Sequence, residues 1–328
     1  MDRRKFLAGC TLAGALPLAA SFAAQPEDGY PSQPVKIVVP FSAGGSADST
    51  TRVLAAKLAQ RLKEPFVVEN RTGASGTIAG IAIAKSPPDG YNLMTLASPG
   101  LLAQHMIRGT QYDVINGFVP VASFYDLPLF LVVNPKVLPD VNTLADLIAV
   151  AQKKPRDLAY TSSGIGSFGH LSMELLKATA KFDMQHVPYR GGSAALVDVI
   201  SGQIPVMMAD AVVARPQIEA GNLRAVAVAS PQRVDFFPNV PTISEQGFSG
   251  FSAVSWGGIL APANTSRTLV AKLEREIKQI MAEPDVQESF AKMGVVADFK
   301  NSADTTLRMR TDFDKWGDVI RKNGISGD

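Results

Sequence analysis

From residue 35 onward the chain alternates short β-branched runs with stretches in which apolar residues recur at helical spacing, and Gly/Ser-rich turns separate the two. Val35–Val39 reads as a strand and is followed by Ser42-Ala43-Gly44-Gly45-Ser46-Ala47, after which Leu54, Leu58 and Leu62 fall on one helical face. Phe66–Asn70 is a second strand, Gly76–Ala84 a helix of small residues, Pro87-Pro88-Asp89-Gly90 a turn, and Tyr91–Ala97 a third strand. The alternation breaks near Asn134-Pro135. It resumes with a helix around Asp146, the strand Asp157–Thr161, a helix over Phe168–Ala180 and the strand Met184–Tyr189. Further strands are expected at Val206–Ala209 and Arg224–Ala229. Pro238, Pro241, Gly247 and Gly250 mark a second break, followed by the strand Ala253–Leu260 and three terminal helices.

Strands that alternate with helices predict an α/β fold with parallel sheets. Two breaks predict two lobes joined by hinge strands, with the terminal helices returning to the first. Lobe I is expected over 24–131 plus 250–328, and lobe II over 132–249.

The first segment has the pattern of an export signal. Arg3, Arg4 and Lys5 precede an uncharged Ala/Leu-rich stretch, Thr11–Ala24, that ends in small residues and is too short to span a hydrocarbon core of about 30 Å. Residues 1–23 read as a signal peptide cleaved near Ala23. The paired arginines resemble a twin-arginine signal, with the general secretory route as the alternative. Removing these residues takes three basic residues and one acidic residue from the 32 Lys+Arg and 30 Asp+Glu, together with the single cysteine, Cys10. The mature chain is then formally neutral and free of thiols, which suits the periplasm and gives no electrostatic footprint for nucleic acid.

Three loops follow strands and precede helices: Phe41–Asp48, Thr161–His170 and Tyr189–Ser193. Helix N-termini at such places present unpaired N–H groups and a partial positive charge, so they can hold an anion without a cationic side chain. Gly164-Ile165-Gly166-Ser167-Phe168-Gly169 also matches the dinucleotide fingerprint GxGxxG, but Tyr189-Arg190, not an acid, ends the next strand. Ser167 and His170 are close in sequence without the GxSxG elbow. His105, His170 and His186 lack metal-ligand spacing, so neither a protein-built metal site nor a cofactor is expected. His170 sits at the mouth of the second loop, either touching a ligand or fixing the loop. Asp48, in the first turn of its helix, would complement the dipole or orient loop N–H groups.

Seven segments together resemble one family. They are Pro40–Asp48, Val67–Gly76, Pro88–Tyr91, Val187–Gly192, Ser201–Gln203, Pro241–Gly247 and Trp256–Gly258. In order and spacing they are similar to the extracytoplasmic substrate-binding receptors of tripartite tricarboxylate transporters, the Bug family. The resemblance covers nearly all of the mature chain. It implies a two-lobed periplasmic-binding-protein-like fold that closes on a carboxylated metabolite, held through loop N–H groups, hydroxyls and waters. The first-lobe pincer would comprise Phe41, Ser42, Ala43, Gly44, Gly45 and Asp48. The second would comprise Thr161, Ser162, Ser163, Tyr189, Gly191, Gly192 and Ala194, with Asp210 as an addition and His170 as a further candidate from its place in the loop. The chain departs from the family pattern at Lys63-Glu64-Pro65 and at Ile204-Pro205-Val206, which leaves Asp210 as the nearest acid.

The implied function is a monomeric, non-catalytic receptor that delivers a mono- or dicarboxylate, amino acid or aromatic acid to membrane permease subunits. Two alternatives stay open on the residues alone. One is a periplasmic ligand sensor for a signalling system. The other is a small hydrolase or oxidoreductase using Ser167, His170 or the GxGxxG loop.

Overall fold

The computed structural model describes residues 29–107, 109, 113–153 and 157–326. The proposed signal peptide lies outside the described residues. The first part of the chain runs β1 (Val35–Val39), α1 (Ser46–Leu62), β2 (Phe66–Asn70), α2 (Thr77–Ala84), β3 (Asn92–Ala97), α3 (Ser98–Met106) and β4 (Phe118–Leu127). Next come β5 (Leu129–Val133), α4 (Leu144–Lys153), β6 (Ala159–Ser162), α5 (Phe168–Ala180), β7 (Gln185–Pro188), α6 (Gly192–Ser201), β8 (Val206–Asp210), α7 (Ala211–Glu219) and β9 (Arg224–Val228). The chain closes with β10 (Ser255–Pro262), α8 (Arg267–Met281), α9 (Pro284–Lys292) and α10 (Ser302–Lys322).

The strands form two five-stranded sheets of matching design. One has the order β2-β1-β3-β10-β4 and the other β7-β6-β8-β5-β9. In each, three strands run parallel and the fourth runs antiparallel to its neighbours: β10 against β3 and β4, and β5 against β8 and β9. The chain leaves the first sheet at Leu127, passes through Pro128, and enters the second at Leu129. It returns between Val228 and Ser255. This is the two-lobed α/β arrangement that the sequence predicts. Four elements went unread there: α3, β4, β5 and α7.

The core explains why β5 escapes a period-two reading. Leu129, Leu131 and Val133 enter one hydrophobic cluster, and Phe130 and Val132 enter another on the opposite face. A strand apolar on both faces shows no alternation. The terminal helices close the structure. The buried stripe Leu269, Leu273, Ile277 and Ile280 seats α8 in the second of these clusters beside Leu54 and Leu58 of α1. Helix α10 lies along β4 and α3, and its Trp316 ring meets Phe168 of the second lobe edge-on at 4.8 Å. On the other flank, Arg215 Nη1 of α7 donates to the Ala291 carbonyl of α9 at 2.5 Å. Among the described residues no helix is long and apolar enough to cross a membrane.

Candidate functional site

The carboxyl ends of the parallel strands face one another across the two sheets, and a cavity of about 420 Å3 lies between them. Five helices begin at its wall: α1 through Gly45, Ser46 and Ala47, α3 through Ala97 and Pro99, α5 through Ser167, Phe168 and Gly169, α6 through Gly192, and α7 through Asp210. The N-termini of α1, α3 and α6 have no side-chain cap, which leaves their first-turn N–H groups uncapped, although Pro99 of α3 has none to offer. Those of α5 and α7 are capped. Ser167 Oγ accepts from the His170 backbone N–H at 3.4 Å, and Asp210 Oδ1 from that of Val213 at 3.3 Å. Burial pushes the Asp210 carboxyl above its ordinary value against the pull of the helix N–H groups. Lys, Arg and His are absent from the lining among the described residues.

The first loop, leading into α1, is held from beneath by one buried acid. Asp48 accepts from the Gly44 N–H at 2.9 Å, from Asn70 Nδ2 at 2.8 Å and from Arg52 Nε at 3.0 Å. Asn70 also donates to the Phe41 carbonyl at 3.0 Å. Burial pushes this carboxyl up, but the hydrogen bonds from Arg52, Gly44 and Asn70 outweigh it and hold the group below its ordinary value. Asp48 therefore fixes the loop and does not reach the cavity wall.

The second loop, between β6 and α5, rests on a stack of neutral rings. His170 and His186 lie face to face with centroids 3.8 Å apart, and His186 stacks in turn on Tyr160 at 4.9 Å. His170 Nδ1 accepts from the Gly166 N–H at 3.1 Å, and His186 Nε2 shares a hydrogen bond with Ser162 Oγ at 2.7 Å. Below them the Tyr160 hydroxyl donates to Glu174 at 2.6 Å, and Lys177 pairs with the same carboxylate. Burial lowers both imidazoles, and His186, which also feels His170 and Lys177, is brought down to about 3. Both rings are neutral at pH 7, and each pins one side of the loop.

Of the residues singled out in the sequence, Phe41, Ser42, Gly45, Ser163, Gly192 and Asp210 line the cavity. Asp48, Ser162 and His170 sit behind it as supports. Thr161 is fully buried in β6, and its Oγ1 meets no hydrogen-bond partner among the described residues. Gly44 faces a neighbouring groove between α1 and α7. Tyr189 donates its hydroxyl to Asp198 of α6. Gly191 is the N-cap of α6, and Ala194 lies exposed in its first turn. The sequence reading missed Ser46, Pro99, Tyr125, Leu127, Leu129, Met207 and Ser255 as lining residues. Most of these come from the unread elements and their antiparallel partner β10. The signal that could have found Ser46 and Pro99 is their place in the first turn of a helix that follows a strand.

The two motif-based alternatives have local explanations. Ser167 and His170 meet only through the backbone cap, while the imidazole is engaged by Gly166 and His186. In GxGxxG the third glycine is a packing requirement, since a Cβ at Gly169 would stand 2.4 Å from the Met208 carbonyl oxygen. Among the described residues no group of three or more His, Cys, Asp or Glu is placed to hold a metal ion. A separate groove of about 360 Å3 beside α10 is lined by side chains that are already engaged: Arg308 with Asp126, and Asp312 with the Trp256 indole N–H.

Comparison with known proteins gives the family. A family model described as the tripartite tricarboxylate transporter family receptor matches residues 50–325. The chain belongs to this receptor family. Protein BugT of Bordetella pertussis (strain Tohama I) is similar at 35% identity over 299 residues, covering 90% of this chain and 91% of the relative. A structure from R. palustris solved with adipate superposes with a TM-score of 0.78 at 31% identity, covering 90% of this chain and 99% of the other. MatC of Rhodopseudomonas palustris with bound malate gives 0.75 at 28% identity, covering 89% and 100%. The family's members are substrate-binding receptors, and the periplasmic-binding-protein architecture of this receptor matches theirs.

Proposed function

We propose that this receptor captures a small organic acid in the periplasm, in the cavity between its two lobes, and presents it to the permease subunits of a tripartite transporter without catalysing a reaction. The carrying observation is the convergence of five helix N-termini, three of them uncapped, on a cavity lined by no cationic side chain among the described residues. Adipate and malate in the related structures support a carboxylate as the ligand. The N–H groups of Ser46 and Ala47 from one lobe and of Gly192 and Ser193 from the other would grip its oxygens, with the hydroxyls of Ser42 and Ser163 beside them. The second lobe is the insertion between the crossing at Pro128 and the return through 229–254. Closure about these two crossings would exclude water and strengthen each hydrogen bond. The N-terminal segment would be removed on export.

A thermal-shift screen of the mature protein against mono-, di- and tricarboxylates, amino acids and NAD(P) tests the reading. A ligand at 100 times its Kd stabilises by about 2.7 kcal/mol. A clear rise with one carboxylate class is expected. Stabilisation by NAD(P) alone would overturn the proposal.

A further inference from the structure

The two ends of the cavity are chemically unlike. At one end stand α1 and α6, whose N-termini are uncapped, together with α7, whose N-terminus Asp210 already fills. These three are neighbours. Ser46 shares a groove with Ala211 and Val212, and a Cβ on Gly192 would lie 3.9 Å from Asp210 Oδ2. At the other end stand α3 and α5, and neither offers a complete set of free N–H groups. Pro99 in the first turn of α3 has no N–H to give, and Ser167 takes one from α5. Phe41 and Phe168 line the wall there. Phe41 lies within reach of Gly100 of α3, and Phe168 is held edge-on by Trp316. Tyr125, Leu127 and Met207 extend the apolar surface between the ends.

Resting on the receptor reading above, we propose that the ligand carries one carboxylate on a predominantly apolar body, its head on α1 and α6 and its tail against Phe41 and Phe168. A second carboxylate at the tail end would meet two aromatic rings and a proline, with the Ser167 hydroxyl and the remaining first-turn N–H groups of α3 as donors, fewer than the head finds on α1 and α6. A carboxylate moved from water to a place with fewer donors is disfavoured. An apolar tail there gains by burying its surface.

The test is calorimetric titration of exhaustively dialysed mature protein with two matched pairs, hexanoate against adipate and benzoate against terephthalate. Each monocarboxylate is expected to bind at least tenfold more tightly than its dicarboxylate. Adipate or terephthalate binding as tightly as its partner would overturn the inference and leave the receptor reading standing. If none of the four binds, and neither do a panel of amino acids and hydroxy acids, the receptor reading itself fails and this inference fails with it. Phe41→Arg, at a half-buried loop position, places a cation at the tail end. It is expected to bring adipate to within threefold of hexanoate, and an unmoved ratio would overturn the placement of the tail against Phe41.

Discussion

The loop before α1 and the loop before α5 face each other across the cavity and present the same kind of surface, a helix start rich in small residues. Their supports differ. Beneath the first is an ionised carboxylate, Asp48, tied to a half-exposed arginine and an asparagine. Beneath the second are two neutral imidazoles and a tyrosine, stacked in the interior. The backbones differ as well. A Cβ on Gly45 would meet nothing closer than the Ser42 carbonyl oxygen at 3.5 Å, whereas one on Gly169 would collide with Met208. Near solvent a charge can be kept, because its counter-ion remains hydrated; in the interior the same task falls to groups that burial keeps neutral. One loop is therefore open and electrostatically fixed, and the other is packed and sterically fixed.

The largest expected effect separates ligand contact from folding. Gly45→Val should weaken binding of the cognate acid at least 100-fold, because the side chain occupies the place of the ligand oxygen, with the melting temperature nearly unchanged. Unaltered affinity by calorimetry would show that the first loop does not touch ligand. Gly169→Ala should do the reverse and destabilise the fold by about 2 kcal/mol as α5 is forced off β8, read from the urea midpoint. A neutral result would mean that the second loop is not packed as described. Asp48→Asn keeps the size and one acceptor but loses the charge facing Arg52. A loss of about 1 kcal/mol is expected, shrinking in high salt.

The effect that is smallest at pH 7, and that grows as the pH falls, is a pH dependence that belongs to the second loop. With His170 and His186 lowered on folding, the unfolded chain takes up protons that the folded chain refuses. Stability should fall as pH drops below about 6.5 and keep falling toward the His186 value of about 3. His105, also lowered by burial, adds to the slope. The Asp48 contribution has the same sign but is lost only as pH falls through its own depressed value. His186→Gln cannot titrate and should flatten part of the decline; an identical slope in urea melts at pH 7 and pH 5 would count against the stacked support.

The paired strand–turn–helix units were legible because β1, β2, β3, β6 and β8 are short β-branched or apolar runs bounded by glycines, prolines and serines. The stretch from Ser98 to Val133 was not. Ser98-Pro99-Gly100 looks like a turn and is the start of α3, where proline in the first turn is tolerated. Pro120 interrupts the apolar run of β4, yet it pairs with Leu260 at a register irregularity of the kind that accommodates proline. Pro128 separates β4 from β5 at the crossing between sheets. The loops proposed to hold the anion could be found from sequence because glycine and helix starts are local features. The apolar wall could not, since Tyr125, Leu127 and Leu129 reach the cavity only through long-range pairing with β10 and β8.

The chain has two tryptophans, Trp256 and Trp316, and both are buried. Trp316 touches Phe168 of the second lobe, and Trp256 lies on the strand that re-enters the first. Any rotation of one lobe against the other alters the surroundings of at least one indole. The receptor thus carries a built-in optical probe, and its ultraviolet emission can be followed through a ligand titration or a stopped-flow trace without attaching a dye.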